Sequence, residues 1–234
     1  MFDIIAFDAD DTLWNNEIHY LNAREQFIQL CAVYDDPQLV GRELDRIEIN
    51  NLSYYGYGIK SFALSMIETA VKISRGKLNA EKTSEIIAIT KNMLDAEIEL
   101  LDHVPETLEV LSQRLSLMLI TKGDPSEQQR KINRSGLSKY FRYVEITGEK
   151  TIETYRTILE KYQIDLTRFL MIGNSLKSDI LPVLNLGGKA IYIPHYHTWA
   201  HEMVTEEQGR NAGYIQADHI GQVNQIIDNL IGKS

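Results

Sequence analysis

Short apolar runs that end on polar or charged clusters alternate, along this chain, with longer stretches where apolar residues recur every three or four positions. Ile4 to Phe7, Leu115 to Ile120, Tyr143 to Ile146, Phe169 to Ile172 and Lys189 to Ile193 are runs of the first kind. Their near-continuous apolar character predicts strands of a parallel sheet buried on both faces. Between Asn15 and about Leu100 only the longer period is present. Leu21, Arg24, Phe27 and Ile28, continued by Leu30 and Cys31, mark one helical face, and Leu39, Leu44, Ile47 and Ile49 a second, opened after Asp36-Pro37. Ile59, Phe62, Met66, Ala70 and Ile73 mark a third, and Ile86, Ile89, Met93 and Ala96 a fourth. Four helices without a convincing strand predict a small bundle. Beyond it, helices carrying Leu108, Val110 and Leu111, then Tyr155, Ile158, Leu159 and Tyr162, then residues 180–186, alternate with the strands. A last strand at Tyr214-Ile215 and a helix from Ile220 to Ile231 close the chain.

Composition narrows the classes without choosing among them. At 234 residues the chain can form one large domain or a domain with an insertion. Acids outnumber bases 33 to 24, and the net charge of −9 argues against a nucleic-acid surface and against anionic membranes. Cys31 is the only cysteine, so no internal disulfide forms, which fits a reducing cytoplasm. The N-terminal apolar run is short and lacks a basic leader, predicting no signal peptide, and no run approaches membrane-spanning length.

Candidate chemistry gathers where the strands end. Asp8, Asp10, Asp11 and Thr12 follow the first strand, where ligands of open α/β sheets bind. Carboxylates this close repel one another and suit a divalent cation, and Mg²⁺ prefers oxygen ligands. The second strand runs into Thr121-Lys122-Gly123-Asp124, and Asp124, Pro125 and Glu127 read as a helix start. A hydroxyl beside free backbone N–H groups makes a small phosphate cradle. Lys150 precedes the next helix, an unfavourable place for a cation unless an anion compensates it. The fourth apolar run ends in Gly173-Asn174-Ser175, with Asp179 four residues on. Between the second and third helices, Tyr54, Tyr55 and Tyr57 crowd beside Gly56 and Gly58, with Lys60 following. This is either a packed turn or a specificity loop. His195, His197 and His201 are spaced unlike paired zinc ligands, so this segment is expected to flank the active site, with Trp199 packing.

Asp8-Ala9-Asp10-Asp11-Thr12, Thr121, Lys150 and Gly173-Asn174 through Asp179 resemble, in order, the four motifs of the haloacid dehalogenase superfamily. The resemblance covers essentially the whole chain. It implies a Rossmann-like α/β core at residues 1–14 and 100–234, with an inserted four-helix cap at 15–99. Members of this kind are mostly Mg²⁺-dependent phosphatases. The resemblance therefore implies that Asp8 attacks phosphorus, that Asp10 protonates the leaving oxygen and then activates water, and that Thr121 and Lys150 hold the phosphoryl group. Lys122 and Gly123 would stand beside it, and Tyr55, Tyr57 and Lys60 would touch the leaving group. Mg²⁺ would be held by Asp8, the Asp10 carbonyl, Asn174 and Asp179. Two positions depart from the pattern: Thr151 stands where proline often follows the lysine, and Asn174 where an acid is usual. Dehalogenating members lack an acid two residues after the nucleophile, so Asp10 favours phosphoryl transfer from a small phosphorylated metabolite. A phosphomutase of the same fold is the nearest alternative, ahead of a dehalogenase or a non-catalytic binding protein.

Overall fold

The computed structural model describes residues 2–197, 199 and 213–232. The chain divides into two compact units, Met1–Glu17 with Ile98–Ser234, and Ile18–Glu97.

The first unit is built on six parallel strands: β1 (Ile4–Phe7), β2 (Ser116–Lys122), β3 (Phe141–Thr147), β4 (Phe169–Gly173), β5 (Lys189–Tyr192) and β6 (Ile215–Gln216). Their order is β3-β2-β1-β4-β5-β6. Ile4 pairs with Ser116 on one side and Phe169 on the other, so β1 is central, and the chain returns across it between β3 and β4. Open α/β sheets offer their binding crevice at such a reversal, beyond the carboxyl ends of the strands.

Both sheet faces are covered, which is why the strands read as unbroken apolar runs. Ile5, Phe7, Leu119 and Ile172 pack with Leu108 and Leu111 of α5 (Val104–Ser112) and Val223 and Ile227 of α9 (Val223–Gly232). Ile4, Ala6, Ile120 and Met171 pack on the opposite face with Tyr155, Ile158 and Leu159 of α7 (Ile152–Tyr162). Helix α6 (Pro125–Ser135) leaves β2 after the Asp124 N-cap, whose carboxylate accepts the N–H groups of Ser126 and Glu127. The helix expected over 180–186 is α8 (Leu181–Asn185), and a π-helical turn that the sequence pattern did not predict, Leu176–Ile180, runs into it.

The second unit is the predicted helical bundle: α1 (Glu17–Cys31), α2 (Pro37–Tyr55), α3 (Ile59–Ser74) and α4 (Ala80–Asp95). Phe27, Leu44, Phe62, Met66 and Ile86 form its centre. Two helical faces are phased differently from the expected ones. Leu21, Leu39 and Ile49 are exposed, while Ala23 and Val40 are buried in their stead. The helices are turned so that Ala23 and Val40 join the large side chains of the centre. The tyrosine segment is also more helical than its composition suggests. Tyr54 and Tyr55 end α2, and only Gly56, Tyr57 and Gly58 connect it to α3. Gly56 and Gly58 both adopt positive φ there, which ends one helix and opens the next.

The segments that join the two units pair with each other. Asn15 N–H donates to Glu99 O at 2.9 Å and Leu101 N–H to Leu13 O at 3.0 Å. No helix among the described residues is long and apolar enough to cross a membrane.

Candidate active site

Asp8 extends β1 by one ladder bond, its N–H donating to Ile172 O at 2.9 Å. The chain then turns sharply, with Leu13 N–H donating to Ala9 O and Asp11 at a φ of 60°. Asp tolerates that left-handed conformation better than most residues. The turn brings Thr12 back over Asp8, where its hydroxyl donates to Asp8 Oδ2 at 3.0 Å and accepts Asn174 N–H at 3.1 Å. The other Asp8 oxygen, Oδ1, accepts from Lys150 Nζ. Held at both oxygens, Asp8 has one orientation.

Lys150 sits just before the Thr151 N-cap of α7 and turns inward. It bridges Asp8 and Asp179 Oδ1, the latter at 2.7 Å. All three are buried, with exposures of 6 % for Asp8, 1 % for Asp179 and 4 % for Lys150. These carboxylates are the anions that an inward lysine at a helix start requires. Burial alone pushes the ammonium down, but Asp179 and Asp8 together outweigh it and hold Lys150 above the ordinary lysine range. Burial, with the Asp8 charge, holds the Asp179 carboxyl above the usual carboxylate range against the pull of Lys150. Asp179 Oδ2 accepts Ser175 N–H at 2.9 Å, so both of its oxygens have protein donors. The π-helical turn that presents Asp179 is anchored by Tyr155 Oη, which donates to Ser178 O at 3.0 Å. Gly173 leaves the room it needs, since a Cβ there would lie 2.3 Å from Asp179 Oδ2.

Thr121, near the end of β2, is buried, and its Oγ1 accepts from Gln128 Nε2 at 2.5 Å. The free N–H cradle predicted beside it is filled by the chain itself. Gly123 N–H donates to Thr147 O, and Asp124 takes the N–H groups of Ser126 and Glu127. An N-cap carboxylate already satisfies the anion site of its own helix. Lys122 Nζ lies 3.4 Å from Ser178 Oγ, on the side of the π-helical turn. Asp10 is half-buried and accepts from three side chains. These are Trp14 Nε1 at 2.7 Å, Lys131 Nζ at 2.6 Å to both oxygens, and Gln128 Nε2 at 3.0 Å.

Asp11 faces elsewhere. Its carboxylate accepts the N–H groups of Asn16 and Glu17 at the start of α1, and His195 Nδ1 lies 3.7 Å away. Burial pushes the Asp11 carboxyl up to about 6, the Asp10 charge adding to it and the Asn16 N–H opposing it. This contact places the described part of the histidine segment beside the first motif; His201 lies outside the described residues. Tyr55, Tyr57 and Lys60 belong to the helical unit, where Tyr55 and Lys60 are exposed and Tyr57 is half-buried.

A hard cation suits the donors that meet at the end of β1. The terminal amide of Asn174 stands 3.1 Å from Asp8 Oδ2 and 3.3 Å from the Asp10 carbonyl oxygen. Turned with nitrogen toward them, it hydrogen-bonds both. Turned with oxygen toward them, it completes a set of three oxygens that only a cation can hold together. Asp8 and Asp179 against Lys150 also leave one net negative charge when both acids are ionised. The all-oxygen set and the charge therefore fit Mg²⁺. Among the described residues no three His, Cys, Asp or Glu side chains gather as a ligand group.

Gln128, Lys131 and Trp14 are the site residues that sequence reasoning missed, and it gave no role to Thr12, which is part of the first motif. The spacing of Gln128 and Lys131 on one face of a helix leaving a strand end was the available signal.

The profile described as haloacid dehalogenase-like hydrolase matches residues 2–187. The crystal structure of a haloacid dehalogenase-like family hydrolase from Xanthomonas campestris is 32 % identical, with a TM-score of 0.87 over 99 % of this chain and 93 % of that one. The pyrimidine 5'-nucleotidase of Escherichia coli is 22 % identical over 84 % of this chain and 88 % of its own. Human N-acylneuraminate-9-phosphatase is 28 % identical over 80 % of this chain and 79 % of its own.

Proposed function

The chain belongs to the haloacid dehalogenase-like hydrolases, and within that family we propose that it is a Mg²⁺-dependent phosphatase of small phosphorylated metabolites. The observation that carries this reading is the site at the end of β1. A nucleophile-grade carboxylate, Asp8, is fixed by Lys150 and Thr12, and a second acid, Asp10, stands two residues on. A halide leaves without a proton, whereas the alkoxide of a phosphate ester needs one, so Asp10 serves phosphoryl transfer.

In the first step a bond forms between the Asp8 carboxylate and phosphorus while the ester P–O bond breaks, and the proton passes from Asp10 to the departing oxygen. In the second, water attacks the same phosphorus, its proton goes to Asp10, and the Asp8–phosphorus bond breaks. Two easier displacements replace one hard hydrolysis. Lys150 and Thr121 hold the phosphoryl oxygens and offset their charge. Asp8, the Asp10 carbonyl and Asn174 would hold Mg²⁺, which neutralises phosphoryl charge when bound. Asp179 acts mainly through Lys150, since its own oxygens face Lys150 and Ser175.

Two relatives are named for release of phosphate from a nucleoside 5' position and from position 9 of an acylated sugar acid. They support a phosphorylated metabolite as substrate. We propose that Tyr55, Tyr57 and Lys60 read its leaving group and that it is cleaved in the cytoplasm. The test is a screen of nucleoside monophosphates, sugar phosphates and phosphorylated sugar acids for phosphate release, with and without Mg²⁺. Asp8→Asn should lower kcat by several orders of magnitude while the protein stays folded. Turnover near wild type in that variant would refute the mechanism.

A further inference from the structure

Two side chains of α6 take part in the site without touching Asp8. Gln128 is buried, and its Nε2 faces three acceptors: Asp10 Oδ2 at 3.0 Å, Thr121 Oγ1 at 2.5 Å and Lys122 O at 3.0 Å. A carboxylate and a backbone carbonyl can only accept, which fixes the amide with its nitrogen inward. Gly123 makes the approach possible. Its φ is 140°, and a Cβ there would press on Gln128 Cγ at 3.2 Å. One turn on, Lys131 Nζ lies 2.6 Å from each Asp10 oxygen and 3.0 Å from Asn16 Oδ1.

We propose that Gln128 and Lys131 are positioning residues for the reaction, fixing the Asp10 carboxyl and the Thr121 hydroxyl in the arrangement that phosphoryl transfer uses. This rests on the phosphatase reading above. Asp10 lies beyond the strand, partly open to solvent, and its side chain has rotational freedom that the ladder does not remove. Trp14, Lys131 and Gln128 between them make four contacts to its two oxygens, which fix the side-chain rotamer while Asp10 is ionised, and one of these contacts opens when Asp10 carries the proton that it gives to the leaving oxygen. Gln128 Nε2 has two N–H groups to share among its three acceptors, and whenever Thr121 Oγ1 accepts one of them, the hydroxyl proton of Thr121 is left for an acceptor in the site, such as a phosphoryl oxygen. Lys131 also balances the Asp10 charge at a place where a phosphate dianion must enter. The pair thus ties the acid at the end of β1 to the hydroxyl at the end of β2, and geometry held this way is worth large factors in rate.

The experiment uses the full chain with Mg²⁺ and has two readouts. The first compares kcat/KM, which reports the first phosphoryl transfer, on an alkyl phosphate and on 4-nitrophenyl phosphate, whose leaving group needs little protonation. Lys131→Met should cut kcat/KM on the alkyl ester by about tenfold to a hundredfold and on the aryl ester by less than about threefold. Lys131→Arg should restore most of the loss. The second readout needs no activity. The Trp14 indole N–H, assigned against Trp199→Phe in ¹H–¹⁵N spectra, bonds Asp10 and so reports its placement. It should shift in Lys131→Met and in Gln128→Met. Equal losses on both esters, or an indole resonance at its wild-type position in both variants, would overturn the proposal. If the wild-type protein hydrolyses neither ester, the phosphatase reading has failed. The indole resonance then decides alone whether α6 places Asp10: a shift supports that placement, and its absence overturns it.

Discussion

Removing the Lys150 ammonium, by Lys150→Met, should cost folding stability as well as activity. The change keeps the length of the side chain and deletes the one cation between two buried carboxylates. Breaking a buried pair by removing one partner costs about 3–5 kcal/mol, because the remaining charge is left uncompensated. At roughly 2–4 °C per kcal/mol for a chain of this size, the melting temperature should fall by about 6–20 °C near pH 8. The sign with pH follows from the two shifts. Lys150 is held above the ordinary lysine range, so its stabilisation is fully present below about pH 10 and is lost only as pH rises through the folded value. Asp179 is held above the usual carboxylate range by burial and by Asp8. Without Lys150 that displacement grows, and an acid displaced upward destabilises the fold as pH rises through its folded value. The deficit of the variant should therefore be greatest at pH 8–9 and shrink toward pH 5–6, where Asp179 takes up a proton. Thermal unfolding followed by circular dichroism across that range measures it. Adding Asp179→Asn should recover part of the loss, since the buried charge is then gone. A melting temperature within about 2 °C of wild type at pH 8, with an unchanged pH dependence, would refute the electrostatic account.

Asn174→Asp should tighten Mg²⁺ binding in calorimetric titration, by adding a charge beside Asp8 Oδ2, which lies 3.1 Å from the Asn174 amide; unchanged affinity would count against Asn174 as a ligand. Gly173→Ala should destabilise by about 2–3 kcal/mol in urea unfolding and depress kcat, because the Asp179 carboxylate must move to admit the new methyl group. Tyr57→Ala should lower kcat/KM on the best metabolite found by screening by roughly tenfold or more and spare small aryl phosphates. Equal losses on both, with a lowered melting temperature, would assign Tyr57 to packing alone.

Much of the fold was legible along the chain, because a parallel sheet covered on both faces demands uninterrupted apolar strands. Ile4 to Phe7 and Phe169 to Ile172 stand out for that reason, and the polar residues that end such strands mark the crevice. The inward position of Lys150 could likewise be argued from one dimension, since a lysine at a helix start requires anions. What periodicity cannot supply is the exact phase of a helix, which the helices packed against it decide. That is how Ala23 and Val40 came to be buried, with Leu21 and Leu39 left outside. Nor can it say which distant groups meet. The order β3-β2-β1-β4 sets four strand ends side by side, and only then does Lys150 reach Asp8, 142 residues away, or Lys131 reach Asp10, 121 residues away. Read alone, Gln128 and Lys131 are ordinary polar residues of an exposed-looking helix. Local propensity decides that they form a helix and share a face; the acid that face meets is decided by strand order, a long-range property of the packed sheet.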